Sequence, residues 1–541
     1  MRVVVPSAAR RSLILAPMAI AAVLAAIYLI TEPPSADLAA QAFRADQFEA
    51  HGFAVWTNAW YGGIELPGYS PLFPPLAAVL GVRLVGALAA VAAAGLFGAL
   101  VSGRGGDPGT GRLGAIWFGA ATAVNLFTGR LTFALGVAVG LAALLALQRR
   151  RPGGASILAA LTVLASPIAG LFLAIAGAGV ALSGGRARGR GEGRGAIAMA
   201  AVALATIALV AYAFPVSGVE PFVASAFWSI AGFTVVALVL LPHGEQALRR
   251  GIAIYGGLAL VLFLFDTAIG GNVARLGALF GGPVLAVVLA RRRPLALALV
   301  ALPLLAWQLA APIRDVSDAS GDPSVARAFH QPLVDELGSL AAGAPSRVEV
   351  LPTRNRWESV YVARSLPLAR GWLRQAESDD FDLFQDGNLT PEAYEAWLRE
   401  RAVSYVAVPL GVDLDYLADD EAALIDAGLP YLALVWESPD WRLYRVVGGA
   451  AFVATPDAPL EPADGARLAA LGHDSFELTA DRAGSYLVRE RYTRYWEVIS
   501  GDACIEPEGD WTLVEAKAPS LIGVRAGFSA EALLGTSDQC G

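Results

Sequence analysis

The sequence predicts a polytopic bundle of membrane helices followed by a domain of mixed helices and strands. Of its 541 residues, 56% are hydrophobic and only 16% are charged, whereas soluble chains carry about 25% charged residues. Charges are scarcest before residue 312, where apolar runs long enough to cross a bilayer of about 30 Å recur. Beyond that point acidic and aromatic residues increase and apolar runs shorten to strand length. We therefore expect domains at 1–312, 313–450 and 451–541.

The first domain is predicted to be all-α, with about eleven transmembrane helices. Their apolar runs are separated by short connectors rich in Gly, Pro or Arg. The apolar segment 156–183 is divided by the dipeptide Ser166-Pro167, since proline removes a helix hydrogen bond and clashes with the preceding turn. Two short helices or one kinked helix could result, and the arginines on both flanks favour two. The predicted spans are 13–31, 82–101, 113–128, 131–148, 156–166, 168–183, 195–214, 226–242, 252–267, 276–290 and 295–312.

The arginines give these spans an orientation. Alternate connectors carry clusters, such as those at 149–151 and 291–293, whereas the opposite connectors carry only single arginines. The clustered side is cytoplasmic by the positive-inside rule. The N-terminus is therefore predicted inside, and an odd number of crossings puts the C-terminal domains outside the plasma membrane.

The C-terminal part is predicted to contain an α/β domain at 313–450 and a β-sandwich-like domain at 451–541. In the first, short apolar runs alternate with helical segments, and in the second, β-like runs are separated by Gly, Pro and Asp turns. Cys504 and Cys540 are the only cysteines. Because both fall in the predicted outside part, we expect them to form one disulfide bond.

The first predicted outside loop holds a candidate functional acid. Ser35 and Gly52 have the residue types that begin and end helices, so a helix is expected between them. One face of that helix then carries Asp37, Gln41, Arg44 and His51, and Arg44 is a candidate substrate-binding residue. An acid close to the membrane is costly unless paired or hydrated, which makes Asp37 a functional candidate. The alternative is that Asp37 only favours the helix dipole in a first turn.

The same loop continues as an aromatic and turn-rich segment, WTNAWYGGIELPGYSPLFPPL, from Trp56 onwards. Its other tryptophan and tyrosine residues are Trp60, Tyr61 and Tyr69. Such side chains are typical of the membrane interface, and their faces can also stack on sugar rings. Both interpretations remain open from the residues alone, so all four are candidate substrate-binding residues.

Together these features resemble the GT-C superfamily of polytopic glycosyltransferases. The resemblance rests on Asp37, on GFAVW at 52–56 and on PGYSPLFPPL at 67–76, which match the loop order of a bacterial branch. It implies an inverting enzyme that moves a sugar from a polyprenyl-phosphate donor to an extracytoplasmic acceptor, which can be an envelope glycan, a lipid or a protein. Many relatives carry a paired acid, or Asp followed by His, where this chain has Asp37 alone, so Asp46 and Glu49 are kept as alternative bases.

The resemblance also implies roles for individual residues. Asp37 would be the general base that deprotonates the acceptor hydroxyl. A cation is then needed near the leaving phosphate, and Arg130, with Asn125 close by in sequence, is our candidate; its alternative role is snorkelling to the interface. Further along, Arg370 belongs to an Arg/Trp segment that could contact a sugar or phosphate, or could form a surface helix paired with nearby acids.

Other functions are weighed against this one. A transporter or flippase for a lipid-linked or envelope precursor, and a non-catalytic envelope assembly protein, are the alternatives. A net charge of −8 does not indicate nucleic acid binding. The four histidines show no metal-ligand spacing and no nucleotide phosphate loop is present. No cofactor is indicated, and the sequence leaves dependence on a divalent metal undecided.

Overall fold

The computed structural model describes residues 7–103, 108–183, 190–215, 218–384, 387–448, 451–534 and 540. Contacts between residues divide the chain into two compact units. Unit 1 consists of Met1–Glu49 and Gly68–Ser320, and unit 2 of Ala50–Pro67 and Gly321–Gly541. The first loop is therefore shared, because its middle segment belongs to unit 2 while both of its ends belong to unit 1.

The regular secondary structure of unit 1 is helical within its described residues. A short 3-10 helix, Gly270–Val273, precedes α13. The helices are α1 Ser7–Thr31, α2 Ala36–His51, α3 Phe73–Leu80, α4 Val82–Gly103, α5 Pro108–Ala121, α6 Ala123–Phe127, α7 Leu131–Gln148, α8 Pro152–Ala165, α9 Pro167–Leu182, α10 Arg190–Ala213, α11 Ala224–Leu240, α12 Gln246–Leu264, α13 Ala274–Leu289 and α14 Pro294–Ala319.

The chain is a multi-pass membrane protein. Seven of its described helices are long and apolar enough to cross a bilayer. The four other predicted spans correspond to shorter helices. The span predicted at 113–128 is divided between α5 and α6 near Thr122, and α8, α9 and α11 each have 14 to 17 residues. The structure thus gives seven full-length candidates where the sequence predicted about eleven crossings.

The predicted break at Ser166 is present and separates α8 from α9. Ser166 adopts an extended conformation, and its hydroxyl accepts a hydrogen bond from the amide of Ala169, while Pro167 begins α9. Proline is favoured at this first helical position because no intrahelical bond needs its missing N–H. Gly136 of α7 lies against the break, where a Cβ would approach the Ala169 methyl group to 2.7 Å. The two short helices are therefore packed within the bundle.

The described residues of unit 2 form three four-stranded sheets. One sheet is mixed, with the order β3-β4-β6-β5 and a parallel β3–β4 pair, and the two others, β12-β13-β10-β7 and β11-β14-β9-β8, are antiparallel. A two-stranded sheet forms from the shared loop. The strands are β1 Trp56–Thr57, β2 Ile64–Glu65, β3 Val348–Val350, β4 Tyr405–Pro409, β5 Leu432–Glu437, β6 Trp441–Val446, β7 Val453–Ala454, β8 Ala466–Leu471, β9 Ser475–Ala480, β10 Gly484–Arg491, β11 Trp496–Ser500, β12 Ala503–Glu508, β13 Trp511–Ala516 and β14 Ser520–Ala526.

Helices of unit 2 accompany mainly the mixed sheet. Their apolar faces pack with β4 and β6 into a core that includes Tyr394, Trp397 and Val406. The helices are α15 Arg327–Leu340, α16 Glu358–Tyr361, α17 Arg374–Phe384, α18 Pro391–Glu400, α19 Asp419–Asp426 and α20 Ala530–Leu534, with a 3-10 helix at Pro323–Val325.

The predicted disulfide bond is confirmed. Cys504 lies on the edge strand β12 and is bonded to Cys540, 36 residues further along the chain. Closing a loop of this length contributes up to about 4 kcal/mol to the free energy of unfolding on the chain-entropy account. The bond joins Cys540 to the edge of the sheet that contains β12 and β13.

Candidate functional site

The centre of the candidate site is an ion pair between Asp37 and Arg130. Asp37 lies in the first turn of α2, and Arg130 immediately precedes α7. Arg130 Nε donates a hydrogen bond to Asp37 Oδ2 at 2.9 Å. The Asp37 and Arg130 side chains are 32% and 23% exposed, so a ligand can reach both. The two residues that the sequence proposed for base and phosphate binding are thus in direct contact.

A glycine turn brings these residues together. Gly129 has a φ of +72°, and a Cβ at this position would lie 2.4 Å from the Leu38 backbone nitrogen and 2.5 Å from Ser35 Oγ. Only glycine allows so close an approach in a left-handed conformation. The following amide, of Arg130, donates to the carbonyl of Asn125 at 2.9 Å. The turn therefore packs directly on the start of α2 and directs the next residue to Asp37.

Asn125 supports the turn through its backbone. Asn125 lies in α6 and is buried, with 5% of its surface exposed. Asn125 is thus a part of the turn that presents Arg130 to Asp37.

Two further charged residues interact electrostatically with the pair. Arg275 lies in the first turn of α13, and its guanidinium carbon is 5.9 Å from the ring centroid of Phe133 in α7. Asp315 lies near the end of α14 and interacts with both Asp37 and Arg130. Arg275 also interacts with both members of the pair. Four charged residues from α2, α7, α13 and α14 therefore form one cluster.

Asp315 was missed by the sequence analysis, which ended the last span at residue 312. The helix α14 continues to Ala319, so Asp315 is held at a fixed position rather than in a linker. An acid within one turn of the end of an apolar run, in the segment APIRDVSDAS, was the available signal.

Tyr69, Gln41 and Arg44 form the adjoining polar part of unit 1. Arg44 is 4% exposed, and its guanidinium carbon lies 4.2 Å from the centroid of the Tyr69 ring. Gln41 is 1% exposed and its side-chain amide donates to the Tyr69 hydroxyl at 3.3 Å. Since Gln41 and Arg44 follow Asp37 by one and two turns of α2, the face predicted from helical spacing is present.

The other aromatic candidates of the first loop lie in unit 2. Trp56, Trp60 and Tyr61 are 3%, 0% and 1% exposed. Trp60 donates its indole N–H to the carbonyl of Ser359 at 3.0 Å. The sequence analysis expected these rings at the membrane interface or against a sugar, whereas the structure places them inside the fold of unit 2. Burying such rings contributes several kcal/mol to folding, so their positions indicate a structural role.

Close packing fixes the aromatic segment in unit 2. A Cβ on Gly371 would lie 2.3 Å from the Trp60 ring, and a Cβ on Gly63 would lie 1.9 Å from the Trp56 ring. The Tyr61 hydroxyl accepts a hydrogen bond from the amide of Leu373 at 3.1 Å. The segment is therefore a fixed component of unit 2, held by contacts to residues more than 300 positions away.

Arg370 is also buried in unit 2. Its Nε donates to Glu349 Oε1 at 2.9 Å, and its terminal nitrogens contact Glu349 and Glu421. Its guanidinium carbon lies 4.2 Å from the ring centroid of Phe384. Burial opposes the charged form, but the two carboxylates outweigh it and raise the pKa of Arg370 well above its usual value. The sequence analysis offered a ligand contact or a surface helix, and the structure shows a buried ion cluster instead.

The described residues contain no group of three or more His, Cys, Asp and Glu side chains placed to hold a metal ion. The residues of the candidate site supply carboxylates, guanidinium groups and a phenol. This set suits proton transfer and the binding of an anion.

No protein-family model matches the chain, and no curated protein matches it. Among solved structures, the chain is similar to the cryo-EM structure of the arabinofuranosyltransferase AftD from Mycobacteria, with 19% sequence identity and a TM-score of 0.47. The alignment covers 83% of this chain and 42% of that one. This chain therefore spans about two fifths of the length of that protein.

Proposed function

We propose that the chain is an integral membrane glycosyltransferase of the GT-C kind, which moves a sugar from a polyprenyl-phosphate donor to an extracytoplasmic acceptor. The Asp37 carboxylate takes the proton of an acceptor hydroxyl. The freed oxygen attacks the anomeric carbon, the bond from that carbon to the phosphate oxygen breaks, and polyprenyl phosphate leaves with the electron pair. The configuration at the anomeric carbon inverts. The acceptor is an envelope glycan, lipid or protein.

The Asp37–Arg130 contact is the observation that carries this proposal. A general base and a phosphate-binding cation must both reach the reacting centre of one bound donor. The contact between Asp37 and Arg130 brings a carboxylate and a guanidinium group together, and Arg275 adds a second positive charge. A guanidinium group forms strong hydrogen bonds with phosphate as well as with carboxylate. The donor phosphate can therefore replace Asp37 as the partner of Arg130, which leaves the Asp37 carboxylate available to the acceptor.

The experiment that tests the proposal is a transfer assay in proteoliposomes with a radiolabelled polyprenyl-phosphate sugar and an envelope extract as acceptor. We expect transfer by the wild-type protein, and a KM for the donor that is about tenfold or more higher in Arg130→Ala, because a charge-assisted hydrogen bond contributes about 1.5–3 kcal/mol. The matched control is Arg83→Ala, which removes an arginine that binds the backbone carbonyls of Glu32 and Pro33.

Equal losses in Arg130→Ala and Arg83→Ala would show a general effect of removing positive charge and would contradict the specific role of Arg130. Absence of transfer by the wild-type protein with every polyprenyl-phosphate sugar supplied would contradict the enzyme proposal itself.

The broken pair α8 and α9 favours a second candidate, a transporter or flippase for a lipid-linked precursor. Helices interrupted within the membrane commonly bind substrates in transporters. Movement of an intact labelled lipid across a sealed vesicle, without release of its sugar, would support that function. A non-catalytic assembly role predicts neither movement nor transfer.

We further propose that unit 2 lies on the extracytoplasmic side of the plasma membrane and that the N-terminus is cytoplasmic. A reporter fused after residue 541 is expected to be active only in the oxidising compartment, and one inserted at Arg188 only in the cytoplasm. Arg188 lies outside the described residues. The Cys504–Cys540 bond supports this orientation, because disulfide bonds persist in oxidising compartments. The reverse reporter pattern at either point would overturn it.

A further inference from the structure

Two residues of α2 contact the Tyr69 side chain, one at the ring face and one at the hydroxyl. Arg44 covers one face of the ring at 4.2 Å, and Gln41 Nε2 donates to the hydroxyl oxygen at 3.3 Å. Both partners are almost fully buried. A cation over a tyrosine face that is shielded from water contributes up to about 2 kcal/mol. The orientation of the phenol is therefore fixed by the same helix that carries Asp37.

This arrangement points to the hydroxyl as the functional end of Tyr69. With Arg44 over the ring, that face cannot stack on a sugar. The hydroxyl oxygen accepts from Gln41, so its own hydrogen remains to be donated, and no donated hydrogen bond from it is found among the described residues. A tyrosine hydroxyl can donate one hydrogen bond while it accepts another.

The charges around Tyr69 indicate what this hydroxyl meets. Tyr69 interacts electrostatically with both Arg130 and Arg275. Tyr69 thus belongs to the same cluster as two guanidinium groups, which are the preferred partners of phosphate.

Gln41 supplies an independent indication of a polar ligand. Its Oε1 is buried and has no hydrogen-bond partner within the described part of the chain. A buried polar atom in this state costs about 1–3 kcal/mol. A hydroxyl of the transferred sugar, next to the phosphate, would satisfy it.

We infer that Tyr69 is a donor-binding residue, whose hydroxyl donates a hydrogen bond to the phosphate of the lipid-linked sugar beside Arg130 and Arg275. This inference rests on the proposed function and deepens it. As the bond between the anomeric carbon and the phosphate oxygen breaks, negative charge grows on the phosphate. A hydrogen bond to it strengthens in the transition state and so contributes to rate as well as binding. Gln41 and Arg44 act through Tyr69 as positioning residues.

The test is binding of undecaprenyl phosphate to the full-length protein in lipid nanodiscs, with undecaprenol as the probe that lacks the phosphate. We expect Tyr69→Phe, which keeps the ring under Arg44, to raise the Kd for undecaprenyl phosphate about tenfold, the effect of one hydrogen bond of about 1.4 kcal/mol. Binding of undecaprenol should not change. Undecaprenyl phosphate is the lipid that the proposed reaction releases from the donor. The difference between its Kd and that of undecaprenol therefore reports on the phosphate alone, and no turnover is needed.

The matched control is Tyr255→Phe. The hydroxyl of Tyr255 donates to the carbonyl of Val273 at 3.1 Å and accepts from the amide of Gly277 at 3.2 Å. Its loss is expected to lower the thermal unfolding temperature with no change in the Kd for undecaprenyl phosphate. This control separates loss of stability from loss of a ligand contact.

The outcomes are distinguishable. An unchanged Kd in Tyr69→Phe, while the wild-type protein binds undecaprenyl phosphate and transfers sugar, overturns the inference and leaves the proposed function intact. A higher KM for the acceptor alone overturns it too, since the hydroxyl would then contact the acceptor. If the wild-type protein neither transfers sugar nor distinguishes undecaprenyl phosphate from undecaprenol, both the inference and the proposed function fail.

Discussion

Asp37→Asn is expected to reduce sugar transfer by about 10²–10⁴-fold, the range found when a general base is removed. The amide has the shape of the carboxylate, but it cannot accept a proton at neutral pH. It also loses the charge that pairs with Arg130. Transfer rates at saturating donor, measured in proteoliposomes and normalised to the amount of folded protein extracted, are the direct readout.

The matched controls for this substitution are Asp46→Asn and Glu49→Gln, which change acids on the same helix, α2. We expect both to retain most of the wild-type rate. Near-wild-type turnover in Asp37→Asn would end the assignment of Asp37. If one of the two control variants were then inactive, the enzyme proposal would survive with a different base. If all three acids were dispensable, the transporter function would be favoured.

Arg370→Met is expected to lower the free energy of unfolding of unit 2 by about 3–5 kcal/mol, because it leaves the buried carboxylates of Glu349 and Glu421 without their cation. The donor KM of the protein that remains folded should be unchanged. Pulse proteolysis in urea, which follows the folded fraction of the purified protein, measures the first quantity, and the transfer assay measures the second.

Arg399→Met is the matched control for Arg370. Arg399 pairs with Glu395 in one turn of α18, and their side chains are 26% and 33% exposed. Exposed pairs contribute about 0–1 kcal/mol, so this variant should be nearly as stable as wild type. A stable Arg370→Met protein with a raised donor KM would contradict the structural role and restore the ligand contact that the sequence offered.

Local chemistry in the sequence determined several elements of this protein. Ser35 and Gly52 flank α2, and Ser166-Pro167 separates α8 from α9, because helix ends depend on a few adjacent residues. The two cysteines could pair only with each other within the chain, and they do. Long apolar runs likewise predicted membrane helices, since bilayer thickness sets their length.

The last span and the number of crossings were less predictable. Hydropathy ended the final span at 312, but α14 continues to Ala319 because a helix can leave the apolar region without ending. Composition gives the extent of an apolar run, whereas hydrogen bonding decides where the helix ends. Asp315 consequently belongs to the charged cluster and not to a linker.

The contents of the site were decided by tertiary structure. Asp37 and Arg130 are 93 residues apart in sequence, and their contact depends on a glycine turn that packs on α2. Nothing in local sequence reports the partner of a charge across such a separation. The same limit explains Arg370, which has the residue type of a phosphate ligand but is enclosed by two carboxylates.

The aromatic loop illustrates the division most clearly. Its sequence predicted a turn-rich segment whose rings lie at the membrane interface or against a sugar, and it did not indicate which rings complete a core. Tyr69 lies with the charged residues of unit 1, whereas Trp60 is fully buried in unit 2, only nine residues earlier. Hydrophobic burial is set by whichever distant surface covers the ring. That surface comes from residues hundreds of positions away, so only the folded chain decides it.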